Sequence, residues 1–464
     1  MESWNIGSEP HMNEQIITAA LDTLGRRCGA TVQLARITGK RWAFEAGPPV
    51  PETLVPPQRV ALDDTHGLIV YRADPLTAQD QDILRTAAHE ALPVIGAAHL
   101  PRGMGVPPMR HGQDARVTGL GPLDRSAIER WLRETGPARL ETLWQAADTV
   151  RQAAVGNGVH LRGLIEMSNY CVRRCAYCGL HAGNRKIVRY RMSDAEVLDC
   201  ARQAVAFGYG TVVIQTGEDY GLPTDRIAGL VRTIKQATPL AVTLSLGERG
   251  DDELAAWKAA GADRYLLRFE TSDPALYDWI HPGLADRPSD RFAILRTLRG
   301  LGYEVGSGVM IGIPGQSYAS LAADIDRFRE LDLDMIGCGP FILHPDSDIA
   351  RQPRDAADDQ VPPVEEMVYK VIALTRLVCP QANIPSTTAL ATLNKKDGRE
   401  KGLSRGANVV MPNLTPIQYR ALYEIYPAKV CINETAGQCR GCLGGRILSI
   451  GRTVARGPGS RSRA

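Results

Sequence analysis

The amino-acid sequence predicts an α/β protein whose larger part is a parallel β/α barrel, preceded by a small α+β domain. Three observations lead there. From Ser126 onward, eight short apolar segments alternate with helical stretches, a pattern that builds a parallel sheet covered by helices. Polar residues recur at nearly every segment's C-terminal end, as the mouth of an eight-stranded barrel of TIM type requires. An open doubly wound sheet, the competing arrangement, makes no such demand. Ahead of this region, residues 101–122 are rich in Gly and Pro and carry no periodicity, which marks a linker.

The elements follow in order. Residues 1–100 form the small domain. "MNEQIITAALDTLGRRC" spaces Ile16, Ile17, Leu21 and Leu24 as one helix face does. "ATVQLARI", "RVALDD" and "GLIVYRA" alternate like strands. "TAQDQDILRTAAHEALPVIGAAHL" is a long amphipathic helix with Thr77 as its N-cap. The barrel spans residues 123–450 and opens with a helical pair, started by a capping box of Ser126 and Glu129. Its eight strands are "LRGLIEMS", "TVVIQTG", "AVTLSLG", "RYLLRFE", "VGSGVMIGI", "MIGCGPFI", "NIPSTTAL" and "NVVMPN". Helices such as "SDAEVLDCARQAVAFG", with a capping box of Ser193 and Glu196, fill the intervals. Residues 451–464, "GRTVARGPGSRSRA", read as a basic flexible tail.

Composition narrows the function. Of 464 residues, 44% are hydrophobic and 23% charged, ordinary values for a globular protein. A net charge of +2 argues against nucleic acid as a partner. No apolar run reaches membrane-spanning length, and the N-terminus lacks the basic start and apolar stretch of a signal peptide. A cytoplasmic location follows. Thiols stay reduced there, so clustered cysteines point to metal or redox chemistry.

Two clusters stand out. Cys171, Cys175 and Cys178 lie in "SNYCVRRCAYCGLHAG", directly after the first barrel strand, at CxxxCxxC spacing. A closed zinc site needs a fourth ligand, for which His181 is the near candidate. A 4Fe–4S cluster on three thiolates instead leaves one iron open to a substrate or cofactor. Cys431, Cys439 and Cys442 form the second triplet, "CINETAGQCRGC", suited to a second Fe–S cluster, a zinc ion or free thiols.

The first triplet in this position, with Tyr177 just before its last cysteine, resembles the radical S-adenosylmethionine (radical SAM) superfamily. The resemblance extends through "YRMS", "IQTGEDY", "VTLSLGE", "GADRYLLRFET", "GIPGQ", "DMIGCGPFILHPD", "NIPSTTAL", "GANVVMPNLTP" and "YRALYEIYPAK". In that order these are similar to the HydE family of FeFe-hydrogenase maturases, relatives of biotin synthase and methylornithine synthase. The likeness covers about the last two thirds of the chain. The first 100 residues look like a small GAF-type domain, which is not part of the HydE pattern.

The resemblance implies a 4Fe–4S cluster on Cys171, Cys175 and Cys178, with SAM on the open iron, cleaved by one electron from ferredoxin or flavodoxin to give a 5′-deoxyadenosyl radical. It implies SAM contacts from Tyr177, Thr216, Gly217, Glu218, Glu270 and Arg291. It implies a cavity lined by Arg268, Thr243, Thr387, Thr388, Tyr423 and Tyr426 around a small anionic substrate. That substrate would be an iron–carbonyl–cyanide–cysteine complex, with HydF and HydG as partners. An amino acid or other small metabolite is the rival substrate, and a regulatory Fe–S protein without turnover is the rival class. Two of these assignments also stand on the residues themselves. Glycine at 217 lets backbone approach a ligand, and Arg268 and Glu270, two apart in a strand, share a face.

Overall fold

The chain divides into two units, Met1–Pro108 and Met109–Ala464. The computed structural model describes residues 120–461 except 286, 288 and 355–357; earlier it describes four strands and positions 21, 74, 76, 77, 80, 81 and 84. The expected first helix apart from Leu21, most of the helix after Thr77, and the linker up to residue 119 lie outside the described residues.

In the first unit, β1 (Thr31–Thr38), β2 (Arg41–Ala46), β3 (Gln58–Ala61) and β4 (His66–Tyr71) form an antiparallel sheet of order β2-β1-β4-β3. Three of these are the expected strands. The sequence reading missed β2, "RWAFEA", whose period-two signal is only Trp42 and Phe44. It pairs through Ile37 with Trp42 and Ala35 with Phe44. Thr77 does cap a turn: Asp80 N donates to its Oγ1 at 3.1 Å, and Thr77 N donates to Asp80 Oδ2 at 2.9 Å.

The second unit is the barrel. β5 (Gly158–Ser168), β6 (Thr211–Thr216), β7 (Ala241–Ser245), β8 (Arg264–Leu266), β9 (Glu304–Ile311) and β10 (Met335–Pro340) run parallel, each paired with the next. β11 (Val409–Val410) and β12 (Thr453–Val454) both join β5. Between β10 and β11 the expected strand "NIPSTTAL" is absent. Two single bridges stand there, Met335 to Asn383 and Pro385 to Val409. Pro385 has no N–H for a ladder, and Thr387 turns its hydroxyl to Leu390 N at 3.2 Å to cap the helix Thr388–Leu393. These bridges still link the two ends of the curled sheet. β8 is also shorter than expected, three residues, although Glu270 returns to bridge Val309.

The helix caps divide. The box of Ser193 and Glu196 forms with both bonds, 3.3 Å and 2.8 Å. The helix Arg125–Arg133 is capped instead by Asp124, whose Oδ1 accepts from Ala127 N at 2.7 Å; Glu129 pairs with Arg133. A carboxylate two residues earlier outcompetes the Ser126 hydroxyl for the free N–H groups. Among the described residues no helix is long and apolar enough to cross a membrane.

The tail is the largest departure. Instead of fraying, residues 457–461 close the floor of the barrel, where the strands begin. Pro458 O accepts from Arg264 Nη2 and from Thr211 Oγ1, each at 3.0 Å. Gly459 O accepts from Asn383 Nδ2 at 3.0 Å and from buried Arg162 at 3.1 Å. Gly210 makes the crossing fit, because a Cβ there would lie 1.9 Å from Gly457 O. Buried guanidinium groups cannot do without acceptors, and the tail's carbonyls supply them. A chain ending at Val454 should therefore lose about 3 kcal/mol of barrel stability, the scale of two hydrogen bonds to charged groups. Urea unfolding followed by circular dichroism measures it; an unchanged midpoint would show the tail to be dispensable.

Candidate functional site

β5 ends in a register shift between Glu166 and Ser168, an irregularity that re-aims the chain at the barrel mouth. Ser168 Oγ then donates to Asp219 Oδ2 at 2.6 Å, and Arg191 grips the same carboxylate with two bonds of 2.7 and 2.8 Å. Burial alone would raise the Asp219 pKa, but hydrogen bonds from Arg191 and Ser168 outweigh it and hold the group ionised below its ordinary value. The next residues are the cysteine loop.

Cys171, Cys175 and Cys178 gather at this mouth as free thiols. Burial pushes all three pKa values up, Cys178 to about 12, and the other two thiols push Cys175 up further. Thiolates packed this way need positive charge among them, which iron ions would supply. His181, the fourth ligand a zinc site would draw on, has Nε2 3.2 Å from Asp346 O and Nδ1 buried without a hydrogen-bond partner. Among the described residues no three His, Cys, Asp or Glu side chains converge as a single ion would require. A four-iron cube, being larger, takes its thiolates at separate corners. Gly217, at the end of β6, lies directly behind the loop: a Cβ there would come 2.2 Å from Tyr170 O and 2.8 Å from Cys171 Cβ. The donor set and the bare glycine together fit a cluster.

A buried ion network fixes the loop from below. Arg173, inside the motif, donates to Glu218 Oε1 at 2.7 Å and to Glu248 Oε2 at 2.8 Å. Glu218 also accepts from Tyr220 and from Glu248 N, so its side chain is engaged within the protein at the turn expected to meet SAM. Its oxygens are committed to holding Arg173. Arg291 is likewise engaged, with Glu248 Oε1 at 2.8 Å, the Arg268 carbonyl and His281 Nε2. In this structure the carboxylate on its guanidinium is that of Glu248. Burial, and then the charges of Arg291 and Arg173, hold the His281 pKa down to about 2. The imidazole is therefore neutral and can accept from Arg291. Two cations meet two carboxylates here, and the network is balanced.

Above it, the interior groups converge in part as expected. Arg268 pairs with Glu270 at 3.0 Å, and Tyr177 OH donates to Glu270 Oε1 at 3.3 Å. Glu270 has φ 63°, with Thr271 N donating back to Phe269 O at 2.7 Å. This is a tight three-residue turn of the strained, positive-φ kind, and such strain concentrates at functional sites. Thr243 Oγ1 and Arg268 Nε are buried without hydrogen-bond partners, groups that a ligand would satisfy. Thr216 turns its hydroxyl onto the Gly217 carbonyl. Tyr423 is fully buried and accepts from Gln215 at 3.1 Å. Tyr426 feels the charge of Glu166, which is paired with Lys429 and with Asn413 Nδ2 at 2.9 Å. Thr387 and Thr388 start a helix, Thr387 spending its hydroxyl on the cap.

In the second triplet, Cys439 and Cys442 lie one turn apart on the helix Ala436–Ser449. A hydrogen bond from Cys439 favours Cys431 as the thiolate and Cys439 as the thiol. Cys442 is exposed, beside Arg446. Sequence reasoning missed Arg173, Glu248, His281, Glu166 and Lys429. Arg173 stood inside the quoted motif, yet only contact with β6 and β7 reveals its partners.

A model of the radical SAM superfamily matches residues 165–328. The [FeFe] hydrogenase maturase subunit HydE of Thermotoga maritima is 44% identical over 323 residues, spanning 70% of this chain and 89% of that protein. Biotin synthase of Magnetococcus marinus is 31% identical over 277 residues, 58% of this chain and 82% of that protein. The solved structure of methylornithine synthase (PylB) superposes with a TM-score of 0.61 at 24% identity, over 74% of this chain and 97% of that one, a likeness of fold.

Two outcomes follow from this geometry. Gly217→Ala should displace the cysteine loop and cost most of the iron bound after anaerobic reconstitution, with the far-ultraviolet spectrum unchanged; full iron content would show that the loop tolerates the methyl. Glu248→Gln should destabilise the iron-free protein by about 3–5 kcal/mol in urea, because it leaves two guanidinium groups buried beside one remaining carboxylate.

Proposed function

The chain belongs to the radical SAM superfamily and, within it, to the HydE-like proteins, and from that premise we propose that it is a HydE-type maturase of FeFe-hydrogenase. As a radical SAM enzyme it takes a 4Fe–4S cluster, SAM and a reductant. Our assignment of the cluster to Cys171, Cys175 and Cys178 rests on their mutual proximity in the loop that packs against Gly217, the observation that carries the reading. The cluster, once reduced, supplies the electron that cleaves the SAM sulfonium to methionine and a 5′-deoxyadenosyl radical.

The protein's own groups position and enclose. Arg173, Glu218, Glu248 and Arg291 hold the loop against the ends of β6 and β7. Arg291 thereby supports the SAM site through Glu248. Tyr177 fixes the Glu270 carboxylate, which is placed to accept from hydroxyl or amine donors of SAM. Arg268, its Nε unpartnered, and Thr243 present donors to the interior, where low polarity strengthens each contact. A small anionic ligand suits them, and an iron–carbonyl–cyanide–cysteine complex is such a ligand. HydF and HydG are the proposed partners in H-cluster assembly, ferredoxin or flavodoxin the proposed electron donor, and the cytoplasm the proposed location. We assign the second cysteine triplet to an accessory Fe–S cluster.

The reading is tested in two steps. Reconstituted protein with dithionite and SAM should release 5′-deoxyadenosine and methionine, and replacing all three of Cys171, Cys175 and Cys178 by Ala should abolish this. The gene should then restore active hydrogenase to cells lacking HydE but holding HydF and HydG. Cleavage without restored hydrogenase would reject the maturase and favour an amino acid or another small metabolite as substrate.

A further inference from the structure

Residues 168–191 carry six basic side chains and no acidic one. Three of the six have carboxylate partners: Arg173 with Glu218 and Glu248, Lys186 with Asp346, and Arg191 with Asp219. Arg189 is built differently. Its Nη1 donates to the carbonyls of Asn169 and Leu180, the second at 2.9 Å. Its Nη2 donates to His181 O at 2.9 Å and Asn184 O at 3.4 Å. All four acceptors are backbone oxygens, and no described carboxylate forms an ion pair with it.

The positions of those acceptors matter. Asn169 lies two residues before Cys171, and Leu180 two residues after Cys178. One planar guanidinium therefore ties both ends of the cysteine segment together, a task its fork of donors suits and an ammonium does not. A part-buried cation with only carbonyl partners also retains its full charge. Burial lowers its pKa, and the sulfurs of Cys171 and Cys178, then Tyr170, act against that lowering.

We infer that Arg189 is a positioning residue for the iron–sulfur cluster and its counter-charge: it closes the loop into the ligating shape and places a fixed positive charge beside two of the three thiolates. The inference rests on the cluster assigned above. Cluster and thiolates together gain one negative charge on reduction, so a fixed cation beside them favours the reduced form. Removing it makes the reduction potential more negative.

The test compares wild type, Arg189→Lys and Arg189→Gln after anaerobic reconstitution. It measures iron per chain and the midpoint potential by redox titration of the reduced-cluster electron paramagnetic resonance signal, with circular dichroism confirming the fold. The expected result is a more negative potential in Arg189→Gln and a near-wild-type potential in Arg189→Lys, with iron loading reduced in both because the fork is gone, but less so in Arg189→Lys because the charge remains. If Arg189→Gln binds too little iron to titrate, loading in Arg189→Lys decides: recovery supports the charge role, and equal failure overturns it. A loaded Arg189→Gln with unchanged potential also overturns it. Wild type that binds no cluster would instead reject the cluster assignment itself.

Discussion

One guanidinium decides where the cysteine loop can go. Arg173 is almost wholly buried between Glu218, after β6, and Glu248, after β7. A cation removed from water must keep its partners or the fold rises steeply in energy. The loop therefore cannot lift from the barrel mouth without breaking both ion pairs, and Glu248 passes the constraint to Arg291 and His281. The thiols converge because the residue between two of them is anchored. The anchor is internal to the motif, so cluster ligands and their support are inherited together in eight residues.

The same economy recurs at Glu270. Its backbone is bent into a positive-φ turn at the end of a three-residue strand, and the bend brings its carboxylate to both Arg268 and Tyr177. A longer, regular β8 would have sent Glu270 to a fixed side of the sheet by simple alternation. The pairing of Arg268 with Glu270 was legible from their spacing. The strained turn that achieves it was not, because nothing local in "RFET" demands it.

That contrast describes most of what the sequence disclosed. Strands with continuous apolar runs, β5 to β7, were readable because burial on both faces writes itself into every residue. "NIPSTTAL" misled because β-branched residues favour strands, while Pro385 and the Thr387 cap override that preference. The cysteine triplet was legible because its spacing is local. Glu248 was not, because its partners Arg291 and Arg173 lie 43 and 75 residues away in the chain, and His281 was not, because it joins only through Arg291 within that same network. Arg291 was assigned from the family resemblance as a SAM contact; its buried pairing with Glu248, 43 residues away, is a further role that no local pattern announces. The tail, rich in Gly, Ser and Arg, reads as loose chain; its backbone carbonyls, which composition cannot reveal, are what the floor arginines require.

The tail's position has a consequence for how the protein is made. β5, the first barrel strand, waits at its N-terminal end for β12, and the tail acceptors for Arg162 and Arg264 lie in residues 458–460. Synthesis runs from the N-terminus, so Gly459 is added 297 residues after Arg162 and Pro458 194 residues after Arg264. Until then the nascent barrel holds both arginines without these acceptors, and its first strand lacks one neighbour. Chain order makes sealing of the floor a late event: a product terminated before residue 458 can present the cysteine motif but cannot seal the floor beneath it.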